Sequence, residues 1–374
     1  MHAPAPRSAP LSRTEPRGGA APAGPPRRTV LAAALAGTGL LVAATSGCGL
    51  RLDRDPEMPA LGPADVLRDA VARILAAAGA GDGTDPAGDA SSPAAALRVF
   101  AAAVGPPWNP PEGLRSPVPA PNPDPAPLKP AAALEALITR IASDAPELPF
   151  VSLAAEGADP EEEPSAEHAD TFAVLADVSA GALLRLYRAD ADAARAAADR
   201  IRDSAEAALA SLPRPADGVG AEASGSEQAE TDLAAAGLAS LVTAAYQAEY
   251  AYERAAVHLR EDSPAAAGAR ERITALAAVA AQASALMAPA APPANSPAWE
   301  LRTPPRDHAS ALTVLLEAED GLAAALHAAR AQTPPPVLLD WLTDSTLARA
   351  AAGGGQDLRW DGTAASATAG EARG

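Results

Sequence analysis

Residues 226–261 read SEQAETDLAAAGLASLVTAAYQAEYAYERAAVHLRE. Within them Leu238, Leu241, Ala245, Ala248, Tyr252, Ala255 and Leu259 recur at alternating spacings of three and four. That interval stacks side chains along one face of a helix and predicts a single long helix with an inward seam.

The sequence beyond this stretch repeats the pattern. Ser263 is a natural cap and Pro264 is preset for a first helical turn, so Asp262-Ser263-Pro264 ends one helix and starts the next. The second helix carries Ile273, Leu276, Ala280, Ala283 and Met287, and is stopped by Pro289, Pro292, Pro293 and Pro297. A third is expected from about Pro305 to Ala331, with Leu312, Leu315, Glu319, Leu322 and Leu326 on one stripe. A fourth follows Thr333-Pro334-Pro335-Pro336, packs through Leu338, Trp341, Leu342 and Ala348, and ends at Gly353-Gly354-Gly355. Four amphipathic helices over 226–352 predict an antiparallel four-helix bundle, with 353–374 a disordered tail.

Upstream, 213–225 is rich in Pro, Gly and Ser and reads as a linker. Residues 64–212 form an expected N-terminal helical region, with helices at 64–78, 94–104, 131–143 and one long segment over 165–211. Its insert, 105–130, is so dense in proline that an extended or disordered course is expected. Nothing reads as a paired set of strands, and the fold class is all-α.

Composition agrees. Alanine supplies most of the 48% apolar content while aromatics are only 3%, and alanine has the best helix propensity. Lys129 is the one lysine, and with 39 prolines this composition points to a GC-rich genome.

The first 47 residues read as an export leader. Arg7, Arg13, Arg17, Arg27 and Arg28 stand against one acid, Glu15, ahead of an apolar run from Val30 to Thr45. The run closes at Thr45-Ser46-Gly47-Cys48, which resembles the bacterial lipobox, whose cysteine is acylated and becomes the new N-terminus. Cys48 is the only cysteine, so an intramolecular disulfide is excluded and lipidation gives the thiol a role. Arg27-Arg28-Thr29-Val30-Leu31 resembles the twin-arginine export signal. The diacylglycerol added at a lipobox supplies two chains, enough for stable anchorage. An extracytoplasmic protein held at the outer face of the cell membrane is the expectation, with 48–63 a tether.

The formal charge is −18; with the +4 of the leader removed, the remainder stands at −22. Such a surface repels phosphates, and no basic stripe offsets it, so nucleic acid is excluded as a partner. An envelope protein or a small ligand fits better.

Two passages carry a family resemblance. Tyr250-Ala251-Tyr252-Glu253-Arg254-Ala255-Ala256 resembles the Tyr-Ala-Tyr signature of a ferritin-like domain of unknown function found in actinobacteria. Asp307-His308-Ala309-Ser310-Ala311-Leu312 and Leu316-Glu317-Ala318-Glu319-Asp320-Gly321-Leu322 resemble that family's third helix. The likeness covers roughly 226–352 and implies a ferritin-like bundle behind an export signal. It implies no activity.

Ferritin-like bundles raise the question of a di-iron or di-manganese centre, which needs a Glu from each of two helices and a Glu-x-x-His pair from each of the others. No such pair occurs. Helix two offers Glu271, helix four offers Asp340 and Asp344, and neither holds a histidine. Many relatives carry an acid-histidine pair early in the first helix, where this chain reads Ala245-Tyr246-Gln247-Ala248-Glu249-Tyr250.

Glu319 nevertheless sits on the seam between Leu315 and Leu322, and Glu249 flanks the seam of helix one. With Tyr252 they form a candidate buried polar site. A buried carboxylate must be paired or hydrogen-bonded, so Glu319 is either a remnant cation or polar-ligand site or an acid satisfied by Tyr246, Tyr252 or an arginine and fixing register. His258 and His327 are expected on solvated faces. No phosphate loop, nucleophile elbow or His-Glu-x-x-His pattern is present. The reading is a non-enzymatic lipoprotein with no cofactor, the alternative a metal-binding ferritin-like protein with a degenerate site.

Overall fold

The computed structural model describes residues 61–79, 92–110, 120–150, 166–212, 235–288 and 290–354. Among them are nine α-helices and no strand: α1 Pro63–Ala77, α2 Pro93–Val104, α3 Pro130–Asp144, α4 Ala166–Ala189, α5 Ala191–Ser211, α6 Ala236–Ala256, α7 Pro264–Leu286, α8 His308–Ala328 and α9 Pro335–Ala351. The all-α expectation is met. Cys48, Arg27 and Arg28, the leader, residues 48–60 of the tether, the linker 213–225 and all but the first two residues of the tail 353–374 lie outside the described residues, while the last tether residue, Pro63, already belongs to α1.

Proline sets many of the starts. Helices α1, α2, α3, α7 and α9 each open on a proline, where the missing N–H is one that no helix could bond. Side chains set others. Ser263 accepts from the Ala266 N–H at 3.2 Å, and Asp307 and Ser310 form a reciprocal capping box at α8. That box starts α8 at His308, later than the expected Pro305. The long segment expected over 165–211 is two helices, because Asp190 takes an extended conformation and accepts from the N–H groups of Asp192 and Ala193. Helix α6 ends at Ala256, short of Glu261. Beyond it the Arg260 N–H donates to His308 Nδ1 and its carbonyl accepts from Ser263 Oγ.

Helix α6 is the centre of the C-terminal part, with α7 and α8 packed most extensively along it. Gly237, in its first turn, lies against the Ala328 carbonyl at the end of α8, whereas Tyr252 meets Glu319 further back. The two helices are therefore antiparallel. A Cβ at Gly237 would stand 2.8 Å from that carbonyl oxygen, closer than the backbone tolerates. In an open helix Gly→Ala gains about 1 kcal/mol. Here Gly237→Ala is expected to lose about 1–2 kcal/mol; urea unfolding checks the sign, and a stabilised variant would contradict this packing.

The structure departs from a self-contained bundle at α9. This helix packs on α4 and α5 more than on α8, and only lightly on α7. Pro335, Val337, Leu338, Leu339, Trp341 and Leu342 are all buried, as a helix covered on several sides must be. Through α9 the helices on both sides of the expected linker share one hydrophobic core, from Leu67, Leu137 and Leu183 to Leu238, Leu276 and Leu342.

The proline-rich insert is also corrected, as far as 105–110 and 120–129 are described. It is extended but docked. Asp69 and Arg73, one turn apart on α1, are buried together, the Arg73 Nε donating to Asp69 at 2.9 Å. Asp69 accepts from the Trp108 N–H at 2.7 Å and Arg73 donates to the Trp108 carbonyl at 2.8 Å. Asn122 donates to Asp69 and to the Val66 carbonyl, and Asp124 pairs with Arg73. The Leu128 N–H then donates to the Ala77 carbonyl at the end of α1. A chain without secondary structure is thus held on α1 by the Trp108 backbone and by the side chains of Asn122 and Asp124, all of which meet the Asp69–Arg73 ion pair.

Candidate functional site

Glu319 lies where the seam predicts it, in the middle of α8, with no solvent exposure. Its carboxylate is fully engaged. Arg272 on α7 donates from Nε to Oε1 and from Nη2 to Oε2, each at 2.8 Å, a two-pronged contact of fixed geometry. Tyr252 on α6 donates its hydroxyl to Oε1 at 2.8 Å. The Glu319 backbone carbonyl accepts from Ser345 on α9. One residue thereby ties together four helices.

The electrostatics follow from burial. Burial of the Arg272 guanidinium by itself favours its neutral form, but the Glu319 charge and its hydrogen bonds outweigh this and hold the group above its ordinary range. Burial and then the Glu319 charge push the Tyr252 phenol up, so it remains a proton donor at any physiological pH.

Of the expected site residues, Glu319 and Tyr252 come together. Glu249 does not. It is half-buried on α6, bonds to neither, and its carboxyl is raised by burial and by Glu253. Tyr246 packs against the core rather than on the carboxylate. Arg272 is the residue that the sequence reading lacked. His327, expected to be solvated, is buried; α9 packs on α8, and just beyond His327 the turn at Arg330–Gln332 lies on α4, with Arg330 paired to Asp170.

These residues do not fit a carboxylate-bridged di-metal centre. Both oxygens of Glu319 point to a guanidinium, which supplies the positive charge that a cation would bring. Among the described residues no group of three or more His, Cys, Asp or Glu is placed to share a metal ion.

A second polar cluster joins α5 to α9. Asp344 accepts from Arg202 at 3.2 Å, and Asp340, one turn earlier, is half-buried beside them. Burial first, then Asp344 and Glu206, push the Asp340 carboxyl up to about 7, against the pull of Arg202 and Arg272. An unfolded aspartate titrates near ~3.9, so between these values the folded chain binds the extra proton. Stability therefore falls as pH rises from about 4 through 7. Asp340→Asn removes that loss: urea unfolding is expected to find it near parity with the parent at pH 4 and more stable at pH 8 by on the order of 1 kcal/mol. A variant less stable at pH 8 would show that the carboxylate is favourably held.

A third feature is a cleft of about 460 Å³ between α6, α8 and the proline-rich strap that joins α7 to α8. Its floor is alanine and glycine from the two helices, and its wall is the strap from Trp299 to Arg302. Glu319 and Tyr252 do not line it.

No helix among the described residues is long and apolar enough to cross a membrane. In comparisons with known proteins, no family model, no curated protein and no solved structure matches this chain.

Proposed function

We propose that this chain is an exported lipoprotein, anchored through Cys48 at the outer face of the cell membrane, whose helical body is a non-enzymatic binding module for an envelope protein or small ligand. The address rests on the leader: five arginines against one acid, an apolar run, and a lone cysteine after small residues. In this reading α6 to α9 descend from a ferritin-like bundle in which an ion pair has taken the place of metal.

The observation that carries the non-enzymatic part is the two-pronged Arg272–Glu319 contact. It neutralises the most deeply buried acid in these helices and engages both of that acid's oxygens, the atoms a metal would need. A carboxylate so held fixes helix register.

Two assays on the full chain test the reading. Cys48→Ser is expected to abolish labelling by a radioactive fatty acid and to release the protein from membranes; unchanged retention, or full-length protein in the cytosol with its leader attached, would contradict the address. Protein purified from cells supplied with iron and manganese is expected to carry neither in stoichiometric amount. Stoichiometric metal that disappears in Glu319→Ala would establish the metal-binding alternative instead.

A further inference from the structure

The 460 Å³ cleft falls in the range of small-molecule sites, and its lining has a definite chemistry. Ala248 and Ala251 of α6 and Ala318 of α8 make a smooth apolar floor with room above it. Trp299 forms part of the wall, and its indole N–H already donates to Asn295 at 3.3 Å within the strap. The indole therefore has only its π surface to offer a ligand.

Charge selects the ligand further. Glu300 on the strap and Glu317 on α8 both line the cleft, and neither has an ion-pair partner among the described residues. Asp320 is neutralised by Arg349 at 2.6 Å, which leaves Arg302 as the one cation of the lining against two carboxylates. The whole chain, at −18, deepens the negative potential. An aromatic face combined with carboxylates above an apolar floor is how proteins recognise an ammonium group carrying a short hydrocarbon body.

We infer that the cleft between α6, α8 and the Trp299–Arg302 strap binds a small organic cation, a protonated amine with an apolar tail. The ammonium lies between Trp299 and the Glu300 and Glu317 carboxylates, and the tail lies on the alanine floor. This assignment deepens the binding role proposed above and fails separately from it, since neither fatty-acid labelling nor metal content depends on the cleft.

The test is calorimetric titration of the full chain in detergent, at physiological salt, with hexylamine, hexanol, hexanoate and magnesium ion. Hexylamine is expected to bind at one saturable site, at least about tenfold more tightly than the other three. Gly321→Leu supplies the steric control. Gly321 lines the cleft, is exposed, and has no atom within 4 Å of an added Cβ, so a leucine there fills the space without disturbing the helix and is expected to abolish binding. Glu300→Gln and Glu317→Gln should each weaken hexylamine about tenfold and leave hexanol unchanged. Binding that survives Gly321→Leu, magnesium that competes equally, or no hexylamine binding at concentrations up to about 10 mM would each overturn the assignment.

Discussion

Glu319→Ala is expected to destabilise the chain by about 3–5 kcal/mol, and Arg272→Ala by a similar amount. The reason is not the worth of the contact itself. Burying an arginine and a glutamate together roughly breaks even, because their mutual attraction offsets the loss of hydration. Removing one partner leaves the other charged, dry and unmatched. In Glu319→Ala the Arg272 guanidinium, only 7% exposed, loses both of its hydrogen bonds to the carboxylate, and the Tyr252 hydroxyl loses its acceptor. The guanidinium cannot escape by giving up its proton. Chemical denaturation is the measurement, and a loss below about 1 kcal/mol would mean that the charge reaches water or a different partner.

The second large effect lies at the other end of the molecule. Asp69→Ala is expected to cost about 3 kcal/mol, since it strands Arg73 in the interior beside a single remaining carboxylate, Asp124, and leaves the Trp108 N–H without its acceptor. Its signature differs from that of Glu319. The docked segment 105–110 should detach, so the Trp108 amide should exchange with solvent at least about a hundredfold faster than α6 amides do. Acid should do the same more gently. Burial works to raise the Asp69 carboxyl, but hydrogen bonds from Arg73, Asn122 and the Trp108 N–H prevail and hold it below its ordinary value. A group depressed in this way contributes stability above its unfolded pKa, near ~3.9, and loses it as pH falls through the folded value. Protection of the Trp108 amide that is unaltered by Asp69→Ala would refute the clasp.

The helices were legible because alanine, proline and capping residues act locally. Pro264 starts its helix where the sequence places it, whereas Pro63, Pro93 and Pro130 each open a helix one residue ahead of the expected start and α9 begins at Pro335, inside the proline run expected to precede it. Glu319 was legible because an acid on an apolar stripe is conspicuous. Its partner was not, although the signal existed: Ala265, Ala269, Arg272, Leu276, Ala280 and Ala283 form a buried stripe with Arg272 on it. An arginine invites reading as surface, since its long stem can carry the charge to water from many positions. Asp69 and Arg73 drew no notice, because an acid four residues before an arginine is the usual mark of a solvated helix face.

What the sequence hid lies in contacts between distant segments. Proline density foretold the extended course of 105–110 and 120–129, but docking there runs in part through the Trp108 backbone, which no side-chain pattern encodes, and in part through Asn122 and Asp124, whose partners on α1 lie 53 and 51 residues away. At α9 the warning was breadth. Val337, Leu338, Leu339, Trp341 and Leu342 are too many apolar positions for one seam, and α4 and α5 cover the surplus. The 165–211 pattern concealed a break because Asp190 caps a helix while keeping the apolar stripe in phase.

The claim that Arg272, and not a bound cation, answers the charge of Glu319 is tested most directly by a double-mutant cycle in the full chain, with Glu319→Leu and Arg272→Met made singly and together. The account predicts that each single variant loses about 3–5 kcal/mol and that the pair loses less than their sum by at least about 2 kcal/mol, because the second change removes the charge stranded by the first. Losses that add to within about 0.5 kcal/mol would mean that the two residues act independently, and would contradict it.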